Sequence, residues 1–171
     1  MPSTEAINEA DRVEFVTMLG EVFEHSPWVA ERAFRRKPFA SLDALHDAML
    51  QAVRSATQAE QLALVLVHPE LAGREAAAGT LTEDSTSEQG RLGFTALRRA
   101  ELERIGGINR AYREKFGFPC IVALRLHRDR ATVLAAMERR LANDADTELA
   151  NAIEQIGHIT RGRLERLLGG A

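Results

Sequence analysis

The sequence predicts an all-α fold, a single-domain bundle of about eight to ten helices across its 171 residues. Three observations predict it. Apolar residues recur at three- and four-residue spacing through most of the chain. Ser, Asp and Pro stand where several of those runs begin, as helix caps and first-turn residues do. No two segments alternate apolar and polar residues as paired strands would. The length favours one core, and a hydrophobic content of 45% is enough to fill it. No repeat, low-complexity linker or composition shift marks a domain boundary.

The elements follow in order. Asp11 to Leu19 carries Val13, Val16 and Leu19 at helical spacing, with Phe15 beside them. Ser26-Pro27 reads as a helix start, Ser as cap and Pro in the first helical position, with Trp28 and Phe34 toward one side. Ser41 caps a helix that lays Leu42, Leu45, Met49 and Val53 along one face. Gln58 to Val67 is apolar on several sides, which predicts deep burial. Gly73 to Asp84 reads as a loop and Ser85 as the next helix start. A long helix is expected from about Leu92 to Lys115, with Leu97, Ile105, Ile108, Tyr112 and Phe116 near one stripe. Gly106-Gly107 inside it costs about 1 kcal/mol per glycine relative to alanine, so a kink is expected there. Phe116 to Arg125 is the least helical stretch, with Ile121 to Leu124 expected extended. Asp129 caps a helix bearing Val133, Met137 and Leu141; Asp146 caps the last, with Leu149, Ile153, Ile156, Leu164 and Leu167 inward.

The bulk numbers narrow the function. A net charge of −3 argues against nucleic acid, which rewards a basic excess. The longest apolar run, Leu62 to Val67, is too short to span a bilayer, so no membrane role is expected. The opening residues lack a basic stretch followed by an apolar one, and the expected location is the cytoplasm. Cys120 is the only cysteine, which rules out an intramolecular disulfide. All the basic residues but Lys37 and Lys115 are arginine, leaving two candidates for Schiff-base chemistry.

Three segments carry residues suited to acid–base work. The first is His68-Pro69-Glu70-Leu71-Ala72, after an apolar helical run. Proline cannot continue a helix and biases the residue before it away from helical angles, so His68 is held at a helix end. With an ordinary pKa near ~6.5, histidine gives or takes a proton at neutral pH; alternatively it simply caps the helix. The second is Ser85-Thr86-Ser87-Glu88-Gln89. Ser85 and Glu88 match a capping box, or Glu88 and Gln89 face a polar substrate from a helix start. The third is Phe116-Gly117-Phe118-Pro119-Cys120-Ile121, where a helix closed by Gly117 leaves backbone groups that need partners. A planar hydrogen-bonding ligand would supply them; an ordinary connection with aromatic packing is the other reading. Thr160-Arg161-Gly162-Arg163 puts two arginines on the last helix, pointing in different directions.

Other chemistries find no pattern. His25, His46, His127 and His158 are scattered, with neither His-x-x-x-His nor Cys-x-x-Cys spacing, so no metal site is predicted. No phosphate-binding glycine loop occurs. Cys120 lies in an apolar run and reads as core packing rather than a nucleophile.

Taken together, the segments resemble the OHCU decarboxylase family, which acts on 2-oxo-4-hydroxy-4-carboxy-5-ureidoimidazoline in urate breakdown. The resemblance rests on Phe23-Glu24-His25-Ser26-Pro27-Trp28, on His68 to Ala72, on Ser85 to Gln89, on Asn109-x-x-Tyr112-x-x-Lys115-Phe116-Gly117-Phe118-Pro119 and on the arginine-bearing last helix. Their order and spacing fit over nearly the whole chain. The resemblance implies an all-α homodimer that works without a cofactor and forms (S)-allantoin. It makes His68 the catalytic acid and Glu88 the key carboxylate. Pro69, Ser85, Thr86, Ser87 and Gln89 would line the substrate, the backbone of Cys120, Ile121, Val122, Ala123 and Leu124 would grip its ring, and Arg163 would sit in the pocket. Cys120 departs from the Phe more usual after Phe-Gly-Phe-Pro. The chain ends Gly169-Gly170-Ala171, without a peroxisomal signal, which fits a cytoplasmic member. A non-enzymatic helical interaction module and a decarboxylase of a related ureido acid are the alternatives.

Overall fold

Side-chain caps start most of the helices in the computed structural model, which describes residues 3–169. The last two residues, read above for a targeting signal, lie outside the described residues. Ten α-helices and one 3-10 turn are present, and no strand occurs among the described residues. The helices are α1 (Thr4–Glu9), α2 (Arg12–Leu19), α3 (Trp28–Phe34), α4 (Leu42–Arg54), α5 (Gln58–Leu66), α6 (Arg74–Ala78), α7 (Glu83–Arg91), α8 (Arg99–Phe116), α9 (Arg130–Arg140) and α10 (Ala145–Leu168). The 3-10 turn is Leu124–Leu126. The all-α prediction holds.

The chain divides into two compact units. The first runs to Val67 and resumes at Gly157; the second is His68–Ile156. In the first, α2 begins at Asp11, whose carboxylate accepts from the Glu14 amide while Glu14 returns a bond to the Asp11 amide, each at 2.9 Å. Phe15 and Leu19 are buried, and Phe15 packs edge-on against Phe34 with centroids 5.4 Å apart. Val13, expected on the inward stripe, is 74% exposed. Ser41 caps α4 as predicted, accepting from the Ala44 amide at 3.1 Å, and Leu45, Met49 and Val53 are buried. Ser26 does not cap α3 through its side chain: the cap position falls on Pro27 and Ser26 is buried. The deep burial predicted for Gln58 to Val67 holds only in part. Leu64 and Val65 are buried, but Leu66 and Val67 are exposed.

In the second unit, the expected loop at 73–84 contains the short helix α6, ended by Gly79 in the left-handed region. Helix α7 starts earlier than predicted, because Thr82 accepts from the Ser85 amide at 3.2 Å. Ser85 is therefore inside α7 and is not its cap. Helix α8 begins at Arg99, later than predicted, and runs without interruption through Gly106-Gly107. It ends at Gly117, whose φ of 80° suits glycine. Asp129 caps α9 by accepting from the Thr132 amide at 2.8 Å. The last helix is capped by Asp144, not Asp146: its carboxylate accepts from the Thr147 amide at 2.8 Å. Phe94, Ile105, Tyr112, Val133, Met137 and Ile156 form the core of this unit.

Candidate functional site

His68 comes one residue after Val67, the cap residue of α5, and is 5% exposed. Pro69 and Glu70 are half-buried. The corner then turns through Ala72, whose φ of 48° lies in the left-handed region that alanine rarely enters. Side chains from α7 and α8 hold it there. Gln89 Oε1 accepts from the Ala72 amide at 2.9 Å, and Gln89 Nε2 donates to the Glu70 carbonyl at 3.4 Å. Asn109 Nδ2 donates to the Leu71 carbonyl at 2.9 Å. One helical turn on, Arg113 Nε donates to the Glu70 carboxylate at 2.8 Å.

Helix α7 sorts the residues of the second segment by face. Ser85 and Gln89, four apart, are buried, and Glu88 beside them is half-buried. Thr86 and Ser87 point to solvent, and the Thr86 hydroxyl donates back to the Thr82 carbonyl at 2.9 Å. Because the cap is Thr82, a Ser85–Glu88 capping box does not form, and Glu88 is not occupied in that role.

The third segment, from Phe118 to Ala123, has no regular secondary structure. Cys120, Ile121, Ala123 and Leu124 are buried and Val122 is half-buried. Several of its backbone groups are already engaged. Arg140 donates to the Ile121 carbonyl, Gln155 accepts from the Ala123 amide at 2.9 Å, and Arg91 donates to the Leu124 carbonyl. The Ile121 amide and both backbone groups of Val122 have no partner among the described residues. A buried amide without a partner is uncommon; here the middle of the segment offers two donors and one acceptor to a ligand.

A buried charge network backs this segment. Glu148, fully buried, accepts from Arg140 Nη2 at 2.8 Å, Asn143 at 2.7 Å, Asn151 at 2.8 Å and the Tyr112 hydroxyl. Burial is the largest influence on Glu148 and pushes its carboxyl up, yet these bonds outweigh it and hold the group below the ordinary carboxylate range. At the Cys120 thiol burial wins: it pushes the group up to about 12 although the positive charge of Arg140 acts in the opposite direction.

Gln89 therefore ties the 68–72 corner to α7, and Arg91 ties the 120–127 segment to the same helix. All of these residues lie in the second unit. Arg163 lies in the first, where it is 3% exposed and its Nη2 donates to the buried Glu24 carboxylate at 3.0 Å. Sequence reasoning missed Arg91, Arg140 and Gln155. Each reaches its backbone partner from 19 to 33 residues away, and no local pattern marks such a bond. Among the described residues, no three His, Cys, Asp or Glu side chains group closely enough to hold a metal ion. No helix among them is long and apolar enough to cross a membrane.

A buried histidine on a braced corner, beside polar helix residues and unpaired amides, is suited to moving a proton on a small polar molecule. That places the chain among all-α enzymes of small-molecule chemistry. The chain belongs to the OHCU decarboxylase family, whose model matches residues 8–165. It is 39% identical over 92% of its length to a 2-oxo-4-hydroxy-4-carboxy-5-ureidoimidazoline decarboxylase of Haloferax volcanii, covering 91% of that protein. A protein of the same name from Halalkalicoccus jeotgali is 38% identical over 96% of this chain, with 91% of that protein covered. Among solved structures, an (S)-allantoin synthase superposes with a TM-score of 0.76 at 28% identity over 98% of this chain. This chain spans 54% of that synthase's length. The expected family and enzyme class, a carboxy-lyase, are thus correct.

Proposed function

We propose that this protein decarboxylates 2-oxo-4-hydroxy-4-carboxy-5-ureidoimidazoline to (S)-allantoin in urate degradation. The observation that carries the reading is the bonding of two distant segments to α7: the corner after His68 through Gln89, and the 120–127 stretch through Arg91. Loss of carbon dioxide breaks the bond between the ring carbon and the carboxylate and leaves an electron pair on that carbon. The substrate's own conjugated carbonyl and imine groups accept the pair, so the reaction needs no added electron sink and we propose no cofactor. The protein's tasks are to hold the carboxylate out of the ring plane and to deliver one proton to one face.

His68 is the proposed acid, a role that contributes about 10²–10⁴-fold in rate. Ser85 and Glu88 present the polar face of α7, while Gln89 holds the 68–72 corner beside them, and Glu88 takes the ureido N–H groups. The unpaired backbone groups of Ile121 and Val122 support the reading that this segment grips the ring. Pro69 lines the site. Thr86 and Ser87 contribute backbone at most, since their side chains face solvent. Arg163 is assigned a substrate contact on the family likeness alone. We further propose a cytoplasmic homodimer. The groove along α1, α2 and the link between them, where Ala6, Ala10, Val13 and Met18 lie beside Glu9, Glu14 and Thr17, supplies partly apolar surface for a second copy, and light scattering after size exclusion gives the mass that decides it.

Allantoin formation from freshly generated substrate, followed by circular dichroism against the spontaneous decay, tests the activity. His68→Asn is expected to fold normally and to lose at least about 10²-fold in kcat. Turnover at the wild-type rate in that variant would remove His68 from the mechanism.

A further inference from the structure

Asn109 stands in the Asn-x-x-Tyr motif of α8, yet the reading above gives it no task. It is 5% exposed, so its amide is held out of water. Nδ2 spends itself on the Leu71 carbonyl at 2.9 Å, while Oδ1 is buried and meets no donor among the described residues. Burying a polar atom without a partner is unfavourable, and an apolar residue of the same shape would avoid it. The side chain's contribution is therefore concentrated in one bond, and where that bond lands is informative.

The Leu71 carbonyl and the Ala72 amide belong to the same peptide unit. That unit is planar and rigid. Asn109 holds its oxygen from α8 and Gln89 holds its N–H from α7. A plane gripped at both edges from two helices cannot rotate about its own axis. The gripped unit stands three residues after His68, and Pro69 between them has its φ fixed by its ring. Ala72 takes up the left-handed turn that follows. Arg113, one turn along the same face of α8, holds the Glu70 carboxylate and steadies the preceding residue.

We infer that Asn109 is a positioning residue for His68: with Gln89 it locks the Leu71–Ala72 peptide, and so fixes the direction in which the imidazole leaves the corner. This rests on the reading of His68 as the acid. Asn109→Leu removes the bond and keeps the approximate shape; Asn109→Asp keeps shape and polarity but sets an acceptor against the Leu71 carbonyl. With activity expressed per folded molecule, both variants are expected to lose about 10- to 100-fold in kcat while KM stays within about threefold, because misplacement of a reacting group acts on the chemical step. The titration of the His68 imidazole, followed by NMR and assigned against His68→Asn, should shift in both. A folded variant with wild-type kcat and an unchanged titration would overturn the inference. If neither variant folds, the wild-type protein decides: slow exchange of the Asn109 side-chain amide protons supports the brace, and exchange at the rate of a free side-chain amide removes it. A silent His68→Asn would sink the parent reading, whereas a dead His68→Asn beside active Asn109 variants sinks this inference alone.

Discussion

Cys120 illustrates how burial can settle a residue's chemistry against a nearby opposing charge. It follows Pro119 in the irregular segment from Phe118 to Ala123. Burial pushes its thiol up to about 12, so almost no thiolate exists near neutral pH, and the thiolate is the reactive form. The side chain is 2% exposed and behaves as a small apolar group. Iodoacetamide at neutral pH is expected to leave the native protein unmodified and to label Cys120 only once denaturant unfolds the chain. Cys120→Ala should cost about 1–2 kcal/mol in stability through the small cavity it opens, with kcat within about twofold of wild type because no step uses the thiol. Rapid labelling of the native protein with parallel loss of turnover would contradict this and bring Cys120 into the mechanism. The Arg163–Glu24 pair shows the converse. Two buried charges face each other there, and removing either one takes the opposite charge away from the other.

At the scale of elements, the corner from His68 to Gly73 is tightly constrained. A Cβ added at Gly73 would stand 2.5 Å from the Glu70 Cβ and 3.2 Å from its carbonyl oxygen. These are atoms near the backbone, so the corner itself has to move. Gly73→Ala is expected to destabilise by about 1–3 kcal/mol and to reduce kcat in the same assay. A fully active variant with unchanged thermal stability would show that the corner is looser than its bonding implies. The long helices and their inward faces were legible in the sequence because local spacing encodes them: Ser41 and Asp129 cap where predicted, and Gly117 closes α8. The errors have a common cause. At 82–85 and at 144–146 several cap-competent side chains lie within four residues, and tertiary packing selects among them. Val13 stands at helical spacing and Leu66 in an apolar run, and both patterns predict burial; a pattern gives a face and not what covers it, and both residues are exposed. His68, Ser85 and Gln89, expected from the sequence to serve a site, fall on buried positions. Asn109, which holds the 68–72 corner, and Arg140 and Gln155, which hold the 121–123 stretch, act through long-range bonds to backbone, which no sequence periodicity records.

For the whole molecule, the balance of buried titratable groups sets how stability varies with pH. His46 in the first unit is buried, with Nε2 3.1 Å from the Thr160 hydroxyl. Burial first, and the positive charge of Arg161 second, lower its pKa from the ordinary 6.5; the Gly157 carbonyl, Asp47 and Asp43 oppose this without reversing it. Since the folded pKa lies below the unfolded one, the unfolded chain takes up the proton more readily. Stability is therefore full above pH 6.5, falls as pH drops below that value, and levels off only once the folded pKa has been passed. His127 in the second unit adds to the same trend, lowered by burial and then by Arg139 and Arg91. Glu148 behaves oppositely in origin. Its bonds hold it below its ordinary 4.5, so its contribution is present above that pH and is lost as pH falls through the folded value. The expected Tm is level between about pH 7 and 8, declines below about pH 6.5, and declines again below about pH 4.5. His46→Gln keeps a partner for Thr160 but cannot charge, and should flatten most of the first decline while leaving the second. Thermal melts at half-unit pH intervals on both proteins decide the matter. A wild-type Tm that stays constant from pH 7 to 5, or a His46→Gln profile that parallels it, would show that the buried imidazole protonates without cost.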